Sequence, residues 1–270
     1  MATDPITLAQ ELTGAYAKRE IVPAPSARDG GIDLDTAYAV EADIARARRA
    51  AGHQTVGWKV GYANKAMWRA LKLETLVWAH MYDDTVRYAD WNDATLSIAS
   101  MFSPKIEPEI VFKLARPPAS SDPAAVLDAT EWIALGFEII DCVFPDWKFQ
   151  PADFVASRGL HAALVVGEPV YVEPDNIARL ATELAEFTVR VLRNNELVEE
   201  GAGKNALKSP ALCVGELAEA MKRRGGETLQ AGDLISTGTL TTSLPMAAGD
   251  TWIASLSGIP PSSLTLRVEL

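Results

Sequence analysis

The sequence predicts an α+β chain, with a helical N-terminal portion over residues 1–54 and a larger, strand-rich region over 55–270. Two observations carry this. Before Gly52 the apolar residues recur twice at helical spacing; beyond it the texture changes to short apolar runs punctuated by Gly, Pro, Asn and Asp, as strands and turns require. A third observation is exclusionary: no GxGxxG follows a strand to open a helix and no GxxxxGK[ST] occurs, so dinucleotide and P-loop architectures are not indicated.

Ile6, Ala9, Leu12, Ala15 and Tyr16 mark one face of a first helix over 6–19, with Thr7 and Gln10 as its capping box. A second helix runs from about Asp35 to Ala51, carrying Tyr38 and Ile44, and Gly52 stops it. Strands are expected at 55–60, 106–114, 136–143, 162–167, 187–193, 196–200, 233–240, 250–256 and 263–269, with helices at 123–133, 175–185 and 209–224. Arg193-Asn194-Asn195-Glu196 reads as a tight hairpin turn, because Asn tolerates the left-handed backbone. Ala-Gly-Asp occurs at 231–233 and at 248–250, each time before a strand, which suggests equivalent entry turns.

With 48% hydrophobic and 23% charged residues the 270-residue chain has ordinary globular values. Its formal charge of −11 repels nucleic acid and anionic membrane, and the basic groups Arg46–Arg48–Arg49 and Lys222–Arg223–Arg224 sit at helix ends. Cys142 and Cys213 lie in apolar stretches far apart and read as buried, reduced thiols. No run of about 18 apolar residues occurs, and Met1-Ala-Thr-Asp-Pro5 lacks a signal-peptide pattern, so a soluble cytoplasmic protein is expected. Gly201-Ala202-Gly203 lacks the third glycine of a phosphate cradle.

The segment richest in chemistry is Pro104-Lys105-Ile106-Glu107-Pro108-Glu109-Ile110. On a strand Glu107 and Glu109 share one face, which is either a solvated strand face or a carboxylate pair around a cation. Pro108 places this segment at a sheet edge or a bulge. Glu138 sits in the otherwise apolar run 135–140 and needs a partner if buried; Asp141 falls on the opposite face. Three converging carboxylates suit a hard cation, Mg²⁺ or Mn²⁺, whereas His53, His80 and His161 have no zinc spacing. Lys59, flanked by Gly57 and Gly61, either snorkels at an edge or is held inside a site as a fixed charge.

Gly57-Trp58-Lys59-Val60-Gly61, the 104–110 segment, Phe137-Glu138-Ile139-Ile140-Asp141 with Asp146-Trp147-Lys148, the 193–196 turn, and Asp233 through Thr237-Gly238 occur in an order and spacing that resemble the 2-keto-4-pentenoate hydratase / 4-oxalocrotonate decarboxylase family of the fumarylacetoacetate hydrolase superfamily. The resemblance covers the chain from about residue 35 onward. It implies a mixed β-roll or β-sandwich with peripheral helices, and a homo-oligomer. It also implies a Mg²⁺ (or Mn²⁺) held by Glu107, Glu109 and Glu138, and a lyase acting on small 2-oxo acids with conjugated unsaturation.

By the same resemblance Lys59, Asp84 and His161 are catalytic candidates, and Trp58, Gly61, Lys148, Arg158 and Thr239 substrate-binding ones. Hydration of a 2-hydroxyalka-2,4-dienoate is the first expectation. Decarboxylation of 2-oxo-3-hexenedioate is its rival, favoured by Val77 where many hydratases carry an acid and by Lys148. An acylpyruvate-type C–C hydrolase would need a base such as His161. A non-catalytic partner subunit is disfavoured, because an unused carboxylate cluster only destabilises. Ala156-Ser157-Arg158-Gly159-Leu160-His161 departs from the family's Ala-Asp-Asn-Ala-Ser-Ser segment; Arg158 and His161 are its candidates for a second-carboxylate ligand or a replacement acid–base. Trp58, Trp68, Trp78 and Trp91 read as core or interface rather than substrate platforms.

Overall fold

The computed structural model describes residues 4–260 and 263–270. Helix α1 (Pro5–Lys18) is opened by Asp4, whose carboxylate accepts the Thr7 N–H at 2.9 Å, with Pro5 in the first turn. The cap therefore lies three residues before the expected Thr7–Gln10 box. Helix α2 (Leu34–Ala50) ends where Gly52 turns away at φ +98°.

The remainder follows in the order β1 (Thr55–Gly61), α3 (Lys65–Leu71), β2 (Val77–Tyr82), β3 (Val86–Tyr88), β4 (Asp93–Ser97), β5 (Lys105–Leu114), α4 (Pro123–Asp128), β6 (Thr130–Ile140), α5 (Pro151–Ala156), β7 (His161–Val166) and β8 (Val170–Tyr171). It continues with α6 (Ile177–Glu186), β9 (Thr188–Arg193), β10 (Glu196–Ala202), α7 (Pro210–Arg224), β11 (Leu234–Ser236), β12 (Leu244–Pro245), β13 (Thr251–Ser257) and β14 (Ser263–Glu269).

Two mixed sheets form. The larger runs β2-β1-β11-β5-β6-β7-β3, with β12 beside β5 and β8 beside β6; the smaller runs β10-β9-β13-β14-β4. Parallel pairs β1/β11, β3/β7 and β14/β4 stand among antiparallel ones, so the fold is α+β with the helices at the periphery. One hydrophobic cluster unites Leu8, Leu12, Val40 and Ile44 of the N-terminal helices with Ile110, Phe112 and Phe137 of the larger sheet and Trp252 and Leu264 of the smaller.

Several expectations change for physical reasons. The helix expected at 123–133 stops at Asp128, and β6 begins at Thr130 because both its faces are buried: Ile133 and Leu135 enter one cluster, Trp132 and Ala134 another. A strand buried on both sides shows no alternation and reads like a helix. The same continuity hid β2, whose six residues are all buried. The strand expected at 233–240 ends at Ser236, after which Gly238, at φ +92°, turns the chain over β5.

Pro108 lies in a central strand, not at an edge. Its carbonyl accepts the Leu240 N–H, so its hydrogen-free nitrogen points into the gap between β11 and β12, where no ladder bond is missing. The 193–196 turn has Asn194 and Asn195 both at positive φ, as expected of a type I′ hairpin. In both Ala-Gly-Asp turns the aspartate caps the N–H three residues back, Asp233 on Gln230 and Asp250 on Ala247, each at 2.8 Å. Trp58, Trp68 and Trp78 are buried, but Trp91 is 86% exposed.

Candidate metal centre and cleft

Alternation along β5 sets Lys105, Glu107 and Glu109 on one face, and the antiparallel register places Glu138 of β6 directly opposite Glu107. Glu109 and Glu138 are fully buried and Glu107 is half-buried. One carboxylate oxygen from each lies within 4.8 Å of the other two. Glu109 Oε2 accepts the Ser236 hydroxyl at 2.5 Å and the Gly238 N–H at 2.8 Å, while its Oε1 has no partner. Glu138 Oε1 lies 3.0 Å from His161 Nδ1; its Oε2 has no hydrogen bond, although Lys59 Nζ stands 3.0 Å away. Three carboxylates share one lysine and leave the buried Glu109 Oε1 unpaired, an arrangement that is costly unless a further cation joins them, and an all-oxygen donor set fits Mg²⁺ or Mn²⁺.

Lys59, 2% exposed, does not snorkel. Its Nζ donates to the Gly159 carbonyl at 2.8 Å and lies 4.7 Å from the centre of the Phe154 ring. Gly159 lets this happen: at φ +61° a Cβ there would come within 2.5 Å of Lys59 Cδ. Gly61 plays a similar part on β1, because a Cβ there would lie 2.4 Å from the Phe154 ring.

Burial dominates the electrostatics. It raises the carboxyls of Glu107 and Glu109, each to about 8; Lys59 pulls both back, and Glu138 beside them raises both further. Glu107 keeps solvent contact through the cleft, yet the protein packed around it still makes burial the largest cause. Glu138 is raised by burial and held down by Lys59. His161 is driven well below its ordinary range by burial and then by Lys59, so it is neutral.

Glu107, Lys59, Gly61 and Thr239 line a cleft of about 690 Å³, within the size range of small-ligand sites. Other expected residues lie elsewhere. Trp58, next to Lys59, necessarily faces the opposite side of β1; its Nε1 donates to Asp233 at 3.2 Å and its ring packs 4.0 Å from that of His80. Asp84 lies in an exposed turn, bonded to Arg48 at 2.5 Å; despite partial burial, that bond and charge hold its carboxyl below the usual range. Lys148 is exposed and pairs with Asp146 at 3.3 Å. Arg158, in a left-handed turn, stacks on Tyr16 with its guanidinium carbon 4.5 Å from the ring centre. His161 is buried behind Glu138 and does not line the cleft. Asp141, the weaker carboxylate, caps the Phe102 and Ser103 N–H groups at 2.9 Å.

The cleft also contains residues that sequence reasoning did not single out. Tyr62, Trp147, Phe149 and Phe154 supply aromatic walls, and Lys105 Nζ lies 4.0 Å from the centre of the Trp147 ring. Lys105 was legible: alternation puts it on the Glu107 face. Nothing in the spacing marked Phe154, which α5 delivers from far along the chain.

Fold and site together define an enzyme built around three carboxylates for a hard divalent ion, with Glu107 lining a cleft sized for a small acid and Glu109 and Glu138 buried beside it. Residues 74–267 match the family described as fumarylacetoacetate (FAA) hydrolase C-terminal, and the chain belongs to that family. It is 30% identical to the 2-hydroxypent-2,4-dienoate hydratase of Pseudomonas putida, over 81% of this chain and 96% of the relative. It is 28% identical to the 4-oxalocrotonate decarboxylase of Pseudomonas sp. strain CF600, over 94% and 93%. Among solved structures, the 4-oxalocrotonate decarboxylase of Pseudomonas putida G7, complexed with magnesium and adipate, superposes with a TM-score of 0.86 at 25% identity, covering 98% of this chain and 97% of the other. The protein is a metal-dependent enzyme of this family, and among the described residues no helix is long and apolar enough to cross a membrane.

Proposed function

We propose that the protein is a divalent-metal-dependent lyase that adds water to 2-hydroxyalka-2,4-dienoate or 2-oxoalkenoate substrates. The observation that carries this is the convergence of Glu107, Glu109 and Glu138 beside Lys59, with Glu109 Oε1 unpartnered and Glu138 Oε2 facing only Lys59. Glu107, Glu109 and Glu138 would hold a divalent ion, which would supply Lewis acidity to a bound 2-oxo acid. Lys59, fixed by Gly159 and Phe154, adds a second positive charge where negative charge develops on the oxo oxygen and is placed to move a proton there. Tyr62, Phe149 and Phe154 shelter the conjugated chain from bulk water. The relatives named as dienoate hydratases support this reading.

Decarboxylation of 2-oxo-3-hexenedioate is the second reading, and two observations favour it. Val77, where many hydratases carry an acid, is buried in β2 opposite Gly61, and the acids lining the cleft besides Glu107 are Glu199 and Glu200. Lys105 faces the cleft with no carboxylate paired to it among the described residues, a charge suited to a second carboxylate. Acylpyruvate-type hydrolysis is less well supported, because none of the three histidines lines the cleft to activate water. We read the protein as a cytoplasmic homo-oligomer without nucleic-acid or membrane partners. The exposed Tyr88, Trp91 and Tyr171 offer surface for self-association, and the charge of −11 opposes binding to polyanions.

The test is incubation with 2-hydroxypenta-2,4-dienoate and with 2-oxo-3-hexenedioate, with Mg²⁺ and with EDTA, following ultraviolet absorbance and product mass. Metal-dependent gain of water by the dienoate supports hydration. Metal-dependent loss of carbon dioxide from the dioate makes decarboxylation the activity, and turnover of neither refutes both.

A further inference from the structure

The two fully buried glutamates of the centre are held in the same way. Each has one oxygen fixed by a neutral donor, while of the remaining two Glu109 Oε1 has no partner and Glu138 Oε2 faces only Lys59 Nζ at 3.0 Å. For Glu109 the fixing groups are the Ser236 hydroxyl and the Gly238 N–H. For Glu138 the fixing group is His161, itself 3% exposed and 3.0 Å away through Nδ1.

The hydrogen-bond network sets the tautomer of this imidazole. Nε2 lies 2.9 Å from Thr85 Oγ1, and that hydroxyl also stands 2.9 Å from the Tyr82 carbonyl. An ionised carboxylate can only accept, so Glu138 Oε1, 3.0 Å from Nδ1, requires the hydrogen there and leaves Nε2 without one. The ring hydrogen then sits on Nδ1 and donates to Glu138 Oε1.

We propose that His161 is a positioning residue for the metal: its Nδ1–H occupies Glu138 Oε1, so that Glu138 offers the ion Oε2 alone and coordination positions remain for the two oxygens of a 2-oxo acid. This rests on the metal-binding reading of Glu107, Glu109 and Glu138. It assigns the 156–161 segment a function through a residue that never touches substrate. Gly159 of the same segment holds Lys59, so one short turn orients both the ligand and the fixed charge.

The test is Mn²⁺ titration, by calorimetry and by the electron paramagnetic resonance of free Mn²⁺, of the full-length protein and of His161→Ala, His161→Gln and His161→Asn. An asparagine amide reaches the place of Nδ1, whereas a glutamine amide extends toward that of Nε2. Loss of the ligand-orienting bond weakens metal binding by about ten- to a hundred-fold in the alanine and glutamine variants, with the asparagine variant within about threefold of wild type. At saturating Mn²⁺ the turnover of the weakened variants returns, which a general packing defect would not allow. Wild-type affinity in His161→Ala overturns the proposal, as does an asparagine variant that folds, by its melting curve, yet binds as poorly as the glutamine one. Glu109→Gln run alongside separates the two levels: unchanged affinity there overturns the metal site itself.

Discussion

Metal binding to this protein should expel protons, and the number is set by the raised carboxyls of the metal centre. Burial raises Glu107 and Glu109 to about 8 in the metal-free protein, from an ordinary 4.5. At pH 7 a group with that value is roughly nine-tenths protonated, and a cation can bind only the ionised form, so about two protons leave per ion. The plot of log affinity for Mg²⁺ or Mn²⁺ against pH should therefore rise with a slope approaching two below about pH 8 and flatten above it. Between about pH 6 and 8 the accumulated gain is at least about a hundred-fold.

Stability moves the other way in the metal-free protein. A carboxyl raised on folding binds its proton more tightly in the folded state, so the stability it confers is complete below about pH 4.5 and is lost as pH climbs through about 8. Calorimetric titration in buffers of different ionisation enthalpy counts the protons, and thermal melts with and without Mg²⁺ follow the stability. Removing one titrating group in Glu109→Gln should lower the slope by about one. An affinity independent of pH between about 6 and 8, with no buffer dependence of the heat, refutes the reasoning that these raised carboxyls await a cation.

Three further outcomes follow from the same geometry. Lys59→Met should lower turnover by about a hundred- to a thousand-fold even when Mn²⁺ is saturating, since it removes a charge near the oxo oxygen and no ligand; steady-state rates at metal concentrations set by a titration of the variant check this. Lys105→Met should raise KM for a dioate by tenfold or more, roughly what one charge-assisted contact is worth, and leave a monoacid unchanged; competition by six-carbon mono- and dicarboxylates measures the difference. Gly61→Ala should cost about 1–3 kcal/mol, because its Cβ would lie 2.4 Å from the Phe154 ring, and pairing it with Phe154→Leu should recover much of the melting temperature.

What the sequence disclosed and what it hid divide along one physical line. Strand alternation is a local rule, so the common face of Glu107 and Glu109 was legible, and so were the Asn194–Asn195 turn and the Asp-capped turns before β11 and β13. Register between strands is not local: nothing within residues 104–110 fixes Glu138 opposite Glu107, and the resemblance supplied that pairing. The direction of a side chain at a turn is less local still. Arg158 and His161 lie three residues apart in the 156–161 segment, yet left-handed backbone at Arg158, Gly159 and Leu160 sends the arginine to Tyr16 and the histidine to Glu138. The same alternation that places Lys59 in the cleft turns Trp58 away from it, so the two cannot both reach the site. Where a motif straddles a strand, its periodicity should decide which of its residues reach the chemistry. On β1 that choice selects Lys59 and excludes Trp58, and on β5 it adds Lys105 to the two glutamates.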